Sequence, residues 1–271
     1  MSGSSIPNFH NPSLVLNSRF LPTAASAKHV VVLLHAHPFS SAMWMPMVEV
    51  FQRLRTDTAV LLIDLPGFGG SALRPQWEFS QLSLELRGII EHYTRKPVIL
   101  AGLSMGGYTA LECYRINSDL VKAIVLSNTR AEADTPKEKT NRSEFVDDVL
   151  AHGSDVAIER LYSNFVTEKT SPETARDIQS WVLEANPNAI ATALKAMTNR
   201  RDSSEMLPRI NVPSLIIASD RDRVTRTTTM RKMASALPNS TFVEIKEAAH
   251  LSAIEKPKEW ASALASFLDR I

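Results

Sequence analysis

The residues with the clearest chemical potential are one serine, two aspartates and one histidine, each in a short segment that follows an apolar run. The first segment reads Gly102-Leu-Ser104-Met-Gly106-Gly107, directly after the apolar residues 98–100. A serine on a sharp turn between a strand and a helix takes a strained backbone conformation, and side chains two residues to either side collide unless they are glycine. Gly102 and Gly106 stand at those two places. The turn lifts the hydroxyl over the carboxyl edge of a sheet, beside the first N–H groups of a helix, where incoming negative charge is favoured.

A serine hydroxyl is a weak nucleophile at neutral pH. It needs a histidine as base, and the histidine needs a carboxylate to fix its tautomer and stabilise the imidazolium. Downstream, Asp220-Arg-Asp222 lies past the expected strand 212–219, and Lys246-Glu-Ala-Ala-His250 past the expected strand 241–245. Both fall at the ends of expected strands, in the chain order Ser104, Asp222, His250. Asp222 is preferred to Asp220, which lies one residue past the strand and has less reach toward a histidine arriving from the next loop. After an earlier strand stands His35-Ala-His37-Pro38. The backbone N–H of His37 and that of Met105 are the two expected donors to a tetrahedral oxyanion.

Other chemistries fare worse. His35 and His37 have strand spacing that can share a zinc ion, but no further ligand cluster completes the set, and His35 is expected to be a buried histidine bonded to loop backbone. Gly67-Phe-Gly69-Gly-Ser-Ala72 loosely fits a dinucleotide-binding pattern. Pro66 precedes it, and Arg74-Pro75 stands where the phosphate-binding helix should already run, so nucleotide binding is not expected. The single cysteine, Cys113, sits among apolar neighbours and reads as a small buried side chain.

The chain of 271 residues has 44% hydrophobic and 22% charged residues and suits a globular unit with a large core. A net charge of +1 gives no field for nucleic acid or an anionic membrane. No apolar run of signal-peptide length follows a basic start, the longest apolar stretches are of strand length, and one cysteine allows no internal disulfide; the expected location is the cytoplasm.

Strand-like runs at 29–35, 58–64, 97–102 and 121–127 alternate with helical patterns at 43–54 and 82–93. This βαβ series predicts a mostly parallel sheet with helices on both faces. Extended pieces near 14–16 and 19–22 suggest an antiparallel hairpin at the sheet edge. From 130 to 207 the strand signal vanishes and apolar residues recur at helical spacing, so an inserted helical cap is expected between core segments 1–129 and 208–271. Tyr162 and Trp181 on that cap are candidate pocket residues. Strands resume at 212–219 and 241–245, and residues 256–271 form a closing amphipathic helix.

Taken together, Asp64-Leu-Pro-Gly-Phe-Gly-Gly-Ser71, the Ser104 segment and Ala-Ala-His250 resemble the α/β-hydrolase superfamily over essentially the whole chain. Asn141-Arg-Ser and Arg201-Asp-Ser-Ser are similar to segments of small bacterial carboxylesterases and of enol-lactonases typified by 3-oxoadipate enol-lactonase. The resemblance implies Ser104 as nucleophile, His250 as base, Asp222 as acid, and His37 and Met105 as oxyanion donors, in agreement with the reading of the residues themselves. It implies a cofactor-free hydrolase of a small ester or lactone. Thioester, C–C bond and perhydrolase chemistry on the same triad remain alternatives, as does a ligand receptor with little turnover. Ala36, Ser219 and Ala249 stand where the family usually has glycine; a positive φ there costs about 1 kcal/mol each.

Overall fold

Runs of β-branched and apolar residues bounded by polar turns form strands that bury both faces. The structure, a computed structural model, describes residues 16–23 and 27–271. Its strands are β1 (Ser18–Leu21), β2 (His29–Leu34), β3 (Thr58–Ile63), β4 (Val98–Leu103), β5 (Val121–Ser127), β6 (Ser214–Ser219) and β7 (Ser240–Ile245). They join in one sheet ordered β1-β3-β2-β4-β5-β6-β7, parallel throughout except for β1, which runs antiparallel to β3. Every residue of β2, β3, β4 and β6 is buried, whereas the edge strand β7 is mostly half-exposed. The expected edge hairpin is thus an antiparallel strand on β3; residues 14 and 15 of its other arm lie outside the described residues.

The helices are α1 (Met45–Leu54), α2 (Phe79–Tyr93), α3 (Met105–Ile116), α4 (Pro136–His152), α5 (Asp155–Phe165), α6 (Pro172–Glu184), α7 (Pro187–Thr198), α8 (Thr227–Ala236), α9 (Ser252–Glu255) and α10 (Pro257–Leu268). Helix α2 packs against α3, which lies along β2, β4 and β5. The closing helix α10 packs on α1, with Trp44 and Trp260 edge to face at 5.2 Å. β4 and its neighbours β2 and β5 are central, and their carboxyl ends carry Gly102, His35 and Asn128.

Between β5 and β6 the described chain forms α4 to α7 and no strand. Three of these helices begin on the same device, a side-chain cap followed by proline at the first helical position: Thr135-Pro136, Ser171-Pro172 and Asn186-Pro187. The Thr135 hydroxyl accepts the Glu138 N–H, and the Glu138 carboxylate reaches back to the Thr135 N–H at 2.7 Å.

Where the chain leaves β5 for these helices, the fully buried Asp134 carboxylate accepts hydrogen bonds from Arg142 Nε at 2.6 Å, Arg200 Nη1 at 2.7 Å and Arg130. Burial alone raises a carboxyl pKa, but the Arg142 and Arg200 guanidiniums hold this one below its ordinary value. Asp134 therefore stabilises the fold above its unfolded pKa near 3.9, and the contribution fades as pH falls below that value. Urea unfolding at pH 7 is expected to show Asp134→Ala destabilised by on the order of 3 kcal/mol, because Arg142 and Arg200 lose their counter-charge and Arg130 is left with Glu138 alone. The gap to wild type should narrow below about pH 4; a loss under about 0.5 kcal/mol at neutral pH contradicts the assignment.

Candidate active site

The turn after β4 is built as its residue types require. Ser104 has φ 54° and ψ −114°, a conformation costly for any residue with a side chain. A Cβ on Gly102 would lie 2.1 Å from the Gly106 carbonyl oxygen, and one on Gly106 would lie 2.0 Å from the Leu34 carbonyl oxygen of β2. Glycine at both places lets α3 start directly against the sheet. Neighbouring backbone holds the strained residue: its N–H donates to the Ser127 carbonyl at 3.0 Å, and its carbonyl accepts from Gly107 N–H at 2.9 Å and the Thr129 hydroxyl at 2.8 Å.

His250, buried in the loop after β7, donates Nδ1–H to Asp222 Oδ2 at 2.9 Å, which leaves Nε2 as the basic nitrogen. Asp222, after β6, uses its other oxygen to accept the Val224 and Thr225 N–H groups at 2.8 and 2.9 Å. Burial tends to raise its pKa, but His250 and these hydrogen bonds hold it below the usual carboxylate value, so it stays ionised. Asp220 instead accepts the Glu247 N–H at 2.8 Å and shapes the turn ahead of the histidine.

One partner of this pair is not visible in the triad pattern. Asn128, the residue after β5, has φ 45° and donates Nδ2–H to the same Asp222 Oδ2 at 2.9 Å. Its carbonyl oxygen accepts the Ser252 hydroxyl at 2.7 Å and the Ser127 hydroxyl at 3.1 Å. Consecutive side chains, Asn128 and Thr129, thus hold the acid and the Ser104 carbonyl from one strand end. The signal available in the sequence was position alone, a polar pair directly past a central strand.

The loop after β2 supplies the other side. Neither the His37 N–H nor the Met105 N–H donates to a described residue. The His37 imidazole is pushed down to about 3, chiefly by burial and then by the Arg142 guanidinium, and is therefore neutral at working pH. Its Nε2 is buried with no partner among the described residues, and the His37–Pro38 peptide bond is cis. His35 is different: Nε2 accepts the Leu65 N–H at 2.8 Å and Nδ1–H donates to the Ala36 carbonyl at 2.9 Å. With both ring nitrogens engaged it is a bracing side chain between two loops. Among the described residues no group of three His, Cys, Asp or Glu is arranged to hold a metal ion.

The second glycine cluster is a brace as well. The Asp64 carboxylate accepts Gly70 N–H at 2.9 Å, Asn17 Nδ2–H at 2.7 Å and, from the loop carrying His37, Ser41 N–H at 2.8 Å. The next helix in the chain starts only at Phe79, so the loop does not run directly into a helix N-terminus as the dinucleotide pattern requires. Burial pushes the Cys113 thiol up to about 11, which leaves it protonated and inert. Ala36, Ser219 and Ala249 carry no backbone strain: the described non-glycine residues with positive φ are Ser104, Asn128 and Glu247.

The inserted helices meet this edge through aromatic rings. Phe165 of α5 stacks on His250 at 6.2 Å between centroids, and the Asn164 carbonyl accepts the His250 N–H at 3.3 Å. Phe39 stands edge-on to both Phe165 and Trp181, at 5.3 and 6.3 Å. A cleft of about 470 Å³ opens between Phe39, Phe68 and Trp181. Trp181 lines this cleft, Tyr162 and Trp181 both pack against the hydrophobic core, and Phe165, one turn after Tyr162, is the α5 ring that reaches the histidine. No helix among the described residues is long and apolar enough to cross a membrane.

Comparison with known proteins agrees with this fold. The family model described as alpha/beta hydrolase fold matches residues 29–257. Among curated relatives, 3-oxoadipate enol-lactonase 1 of Acinetobacter baylyi is 27% identical over 230 residues, covering 84% of each chain. Among solved structures, a thermophilic esterase from Thermogutta terrifontis superposes with TM-score 0.88 at 30% identity over 94% of both chains. An enol-lactonase from Burkholderia xenovorans LB400 superposes with TM-score 0.84 at 22% identity, over 94% of this chain and 96% of that one, a likeness of fold.

Proposed function

The chain belongs to the alpha/beta hydrolase fold family, and from that premise we propose that it is a serine hydrolase that cleaves a small carboxylic ester or lactone through an acyl-enzyme on Ser104. The observation that carries this reading is the buried His250–Asp222 hydrogen bond of 2.9 Å, at the sheet edge where Ser104 is held in its strained turn. A carboxylate locked into ionised form with an imidazole oriented by it has no structural necessity, and it leaves Nε2 available to a hydroxyl.

In the proposed reaction Ser104 Oγ attacks the substrate carbonyl carbon while its proton passes to His250 Nε2. The carbonyl oxygen becomes an oxyanion that accepts the His37 and Met105 N–H groups. Collapse breaks the bond to the leaving oxygen, which takes the proton from His250. Water then attacks the acyl carbon, gives its proton to Nε2, and the second collapse returns that proton to Ser104. With a lactone the leaving oxygen stays on the acyl chain, and the product is a single hydroxy acid. The Ser104 hydroxyl makes no hydrogen bond to a described residue; the contact with Nε2 belongs to the substrate complex, since such bonds are often long in free enzymes and tighten on binding.

The α4–α7 insertion serves in this reading as a cap, with Trp181 in the wall of the substrate cleft and the substrate a diffusible small molecule of the cytoplasm. The experiment is a turnover assay with short p-nitrophenyl esters and a panel of small lactones. Steady-state hydrolysis of at least one class is expected. Stoichiometric binding without turnover across the panel contradicts the enzyme reading and favours a ligand receptor.

A further inference from the structure

Five residues past His250, at the end of α9, the Glu255 carboxylate joins the histidine segment to the insertion. Oε2 accepts the Ala249 N–H at 2.7 Å, and Oε1 accepts the Thr170 hydroxyl at 2.6 Å. Thr170 lies in the turn between α5 and α6 and is itself fixed: its hydroxyl accepts the Thr167 N–H at 2.8 Å, and its N–H donates to the Thr167 carbonyl at 3.1 Å. One residue beyond Ala249, the His250 N–H is taken up by the Asn164 carbonyl and its ring by Phe165. The backbone of 249–250 is therefore tied to residues 164–170 at both ends, and Glu255 is the side chain that makes one of the ties.

Such a carboxylate is costly to keep. Burial raises its pKa to about 7, against the pull of its hydrogen bonds with Thr170 and Ala249 and of the nearby Lys256 charge. Among the described residues no cation forms an ion pair with it; Lys256, next in the chain, pairs with Glu247 at 3.5 Å. A half-buried acid without a counter-ion is repaid by what its hydrogen bonds hold. Here they hold the residue before the proposed base.

Resting on the serine-hydrolase reading above, we propose that Glu255 is a positioning residue for that reaction, fixing the backbone entering His250 and tying it to Thr170 so that the imidazole keeps its place through both proton transfers. The hydrogen bonds rather than the charge are the working part. A glutamine can reproduce both, accepting the Ala249 N–H through its oxygen and donating to the Thr170 hydroxyl oxygen; alanine reproduces neither.

The test compares wild type, Ser104→Ala, Glu255→Ala, Glu255→Gln and Thr170→Val on one p-nitrophenyl ester, with kcat normalised to sites titrated by a fluorophosphonate. Turnover by wild type that is lost in Ser104→Ala upholds the hydrolase reading whatever Glu255 does. Misplacing a catalytic group by about 1 Å costs up to about 100-fold, so Glu255→Ala is expected to lower kcat by about 10- to 100-fold with KM within about threefold. Glu255→Gln should restore kcat to within about threefold of wild type, and Thr170→Val, which breaks only the insertion side, should cost about three- to tenfold. A merely structural role lowers the melting temperature and leaves kcat per titrated site unchanged. Wild-type kcat in Glu255→Ala, or a glutamine variant as impaired as the alanine one, overturns the proposal. If Glu255→Ala does not fold, Thr170→Val decides, and wild-type kcat there overturns it equally.

Discussion

Replacing Ser104 by alanine is expected to lower kcat for a short p-nitrophenyl ester by about 10⁴- to 10⁶-fold while the protein remains folded. The size follows from what the residue does in the proposed reaction. Without Oγ there is no acyl-enzyme, and the ester can be attacked only by water that the remaining groups orient poorly. The His37 and Met105 N–H groups and the cleft survive the change, which is why a residual rate above the uncatalysed one should persist. Folding should not suffer, because Ser104 contributes backbone rather than side-chain hydrogen bonds to the turn. Alanine keeps the Cβ and loses only Oγ, so the strain at φ 54° is unchanged and no clash arises; a melting curve close to wild type is part of the expected result. Turnover that survives the substitution would falsify the nucleophile assignment.

The second large effect belongs to Asp222. All four of its hydrogen bonds come from donors: His250 Nδ1 and Asn128 Nδ2 on one oxygen, the Val224 and Thr225 N–H groups on the other. An asparagine must turn its NH2 toward one of these pairs. Facing the backbone it opposes two fixed N–H groups, so it faces His250 instead and forces the imidazole into the tautomer with the proton on Nε2. That nitrogen can no longer take the Ser104 proton. Asp222→Asn is therefore expected to lower kcat by about 10⁴-fold, as tautomer reversal does in other triads. Asp220→Asn keeps an amide oxygen that can still accept the Glu247 N–H and should cost less than about tenfold. Comparable losses from the two changes would show that the acid is shared or misassigned.

Much of this site can be read before any coordinates, and the reason is local. Gly102 and Gly106 are demanded by contacts within one turn, and strands as apolar as β3 or β4 have few alternatives to a buried sheet, so the positions of Ser104, Asp222 and His250 follow from strand ends alone. Reach from the strand end favours Asp222 over Asp220 in the sequence; in the structure Asp222 accepts the His250 Nδ1–H and Asp220 the Glu247 N–H. Less legible were the groups whose partners are distant in sequence. Asn128 meets Asp222 across 94 positions and Glu255 meets Thr170 across 85, and no local pattern encodes either pairing. Helical spacing says which residues share a face but not which of them meets a distant loop: Trp181 lines the cleft, and the α5 ring that stacks on His250 is Phe165. The inserted helices did carry a signal, in the repeated pairing of a capping residue with proline at Thr135-Pro136, Ser171-Pro172 and Asn186-Pro187. The decoys resolve through satisfaction of polar atoms. His35 has both ring nitrogens occupied by backbone, and the Gly67–Ala72 loop is spent on bracing Asp64.

The central claim is that a single hydroxyl, held by the β4–α3 turn, becomes covalently acylated. Treating the native protein with a fluorophosphonate at neutral pH and mapping the adduct by peptide mass spectrometry tests it most directly. One label per chain is predicted, on the peptide containing Ser104, formed in step with loss of ester hydrolysis and absent in Ser104→Ala. A label on another residue, or complete inactivation with the Ser104 peptide unmodified, contradicts it.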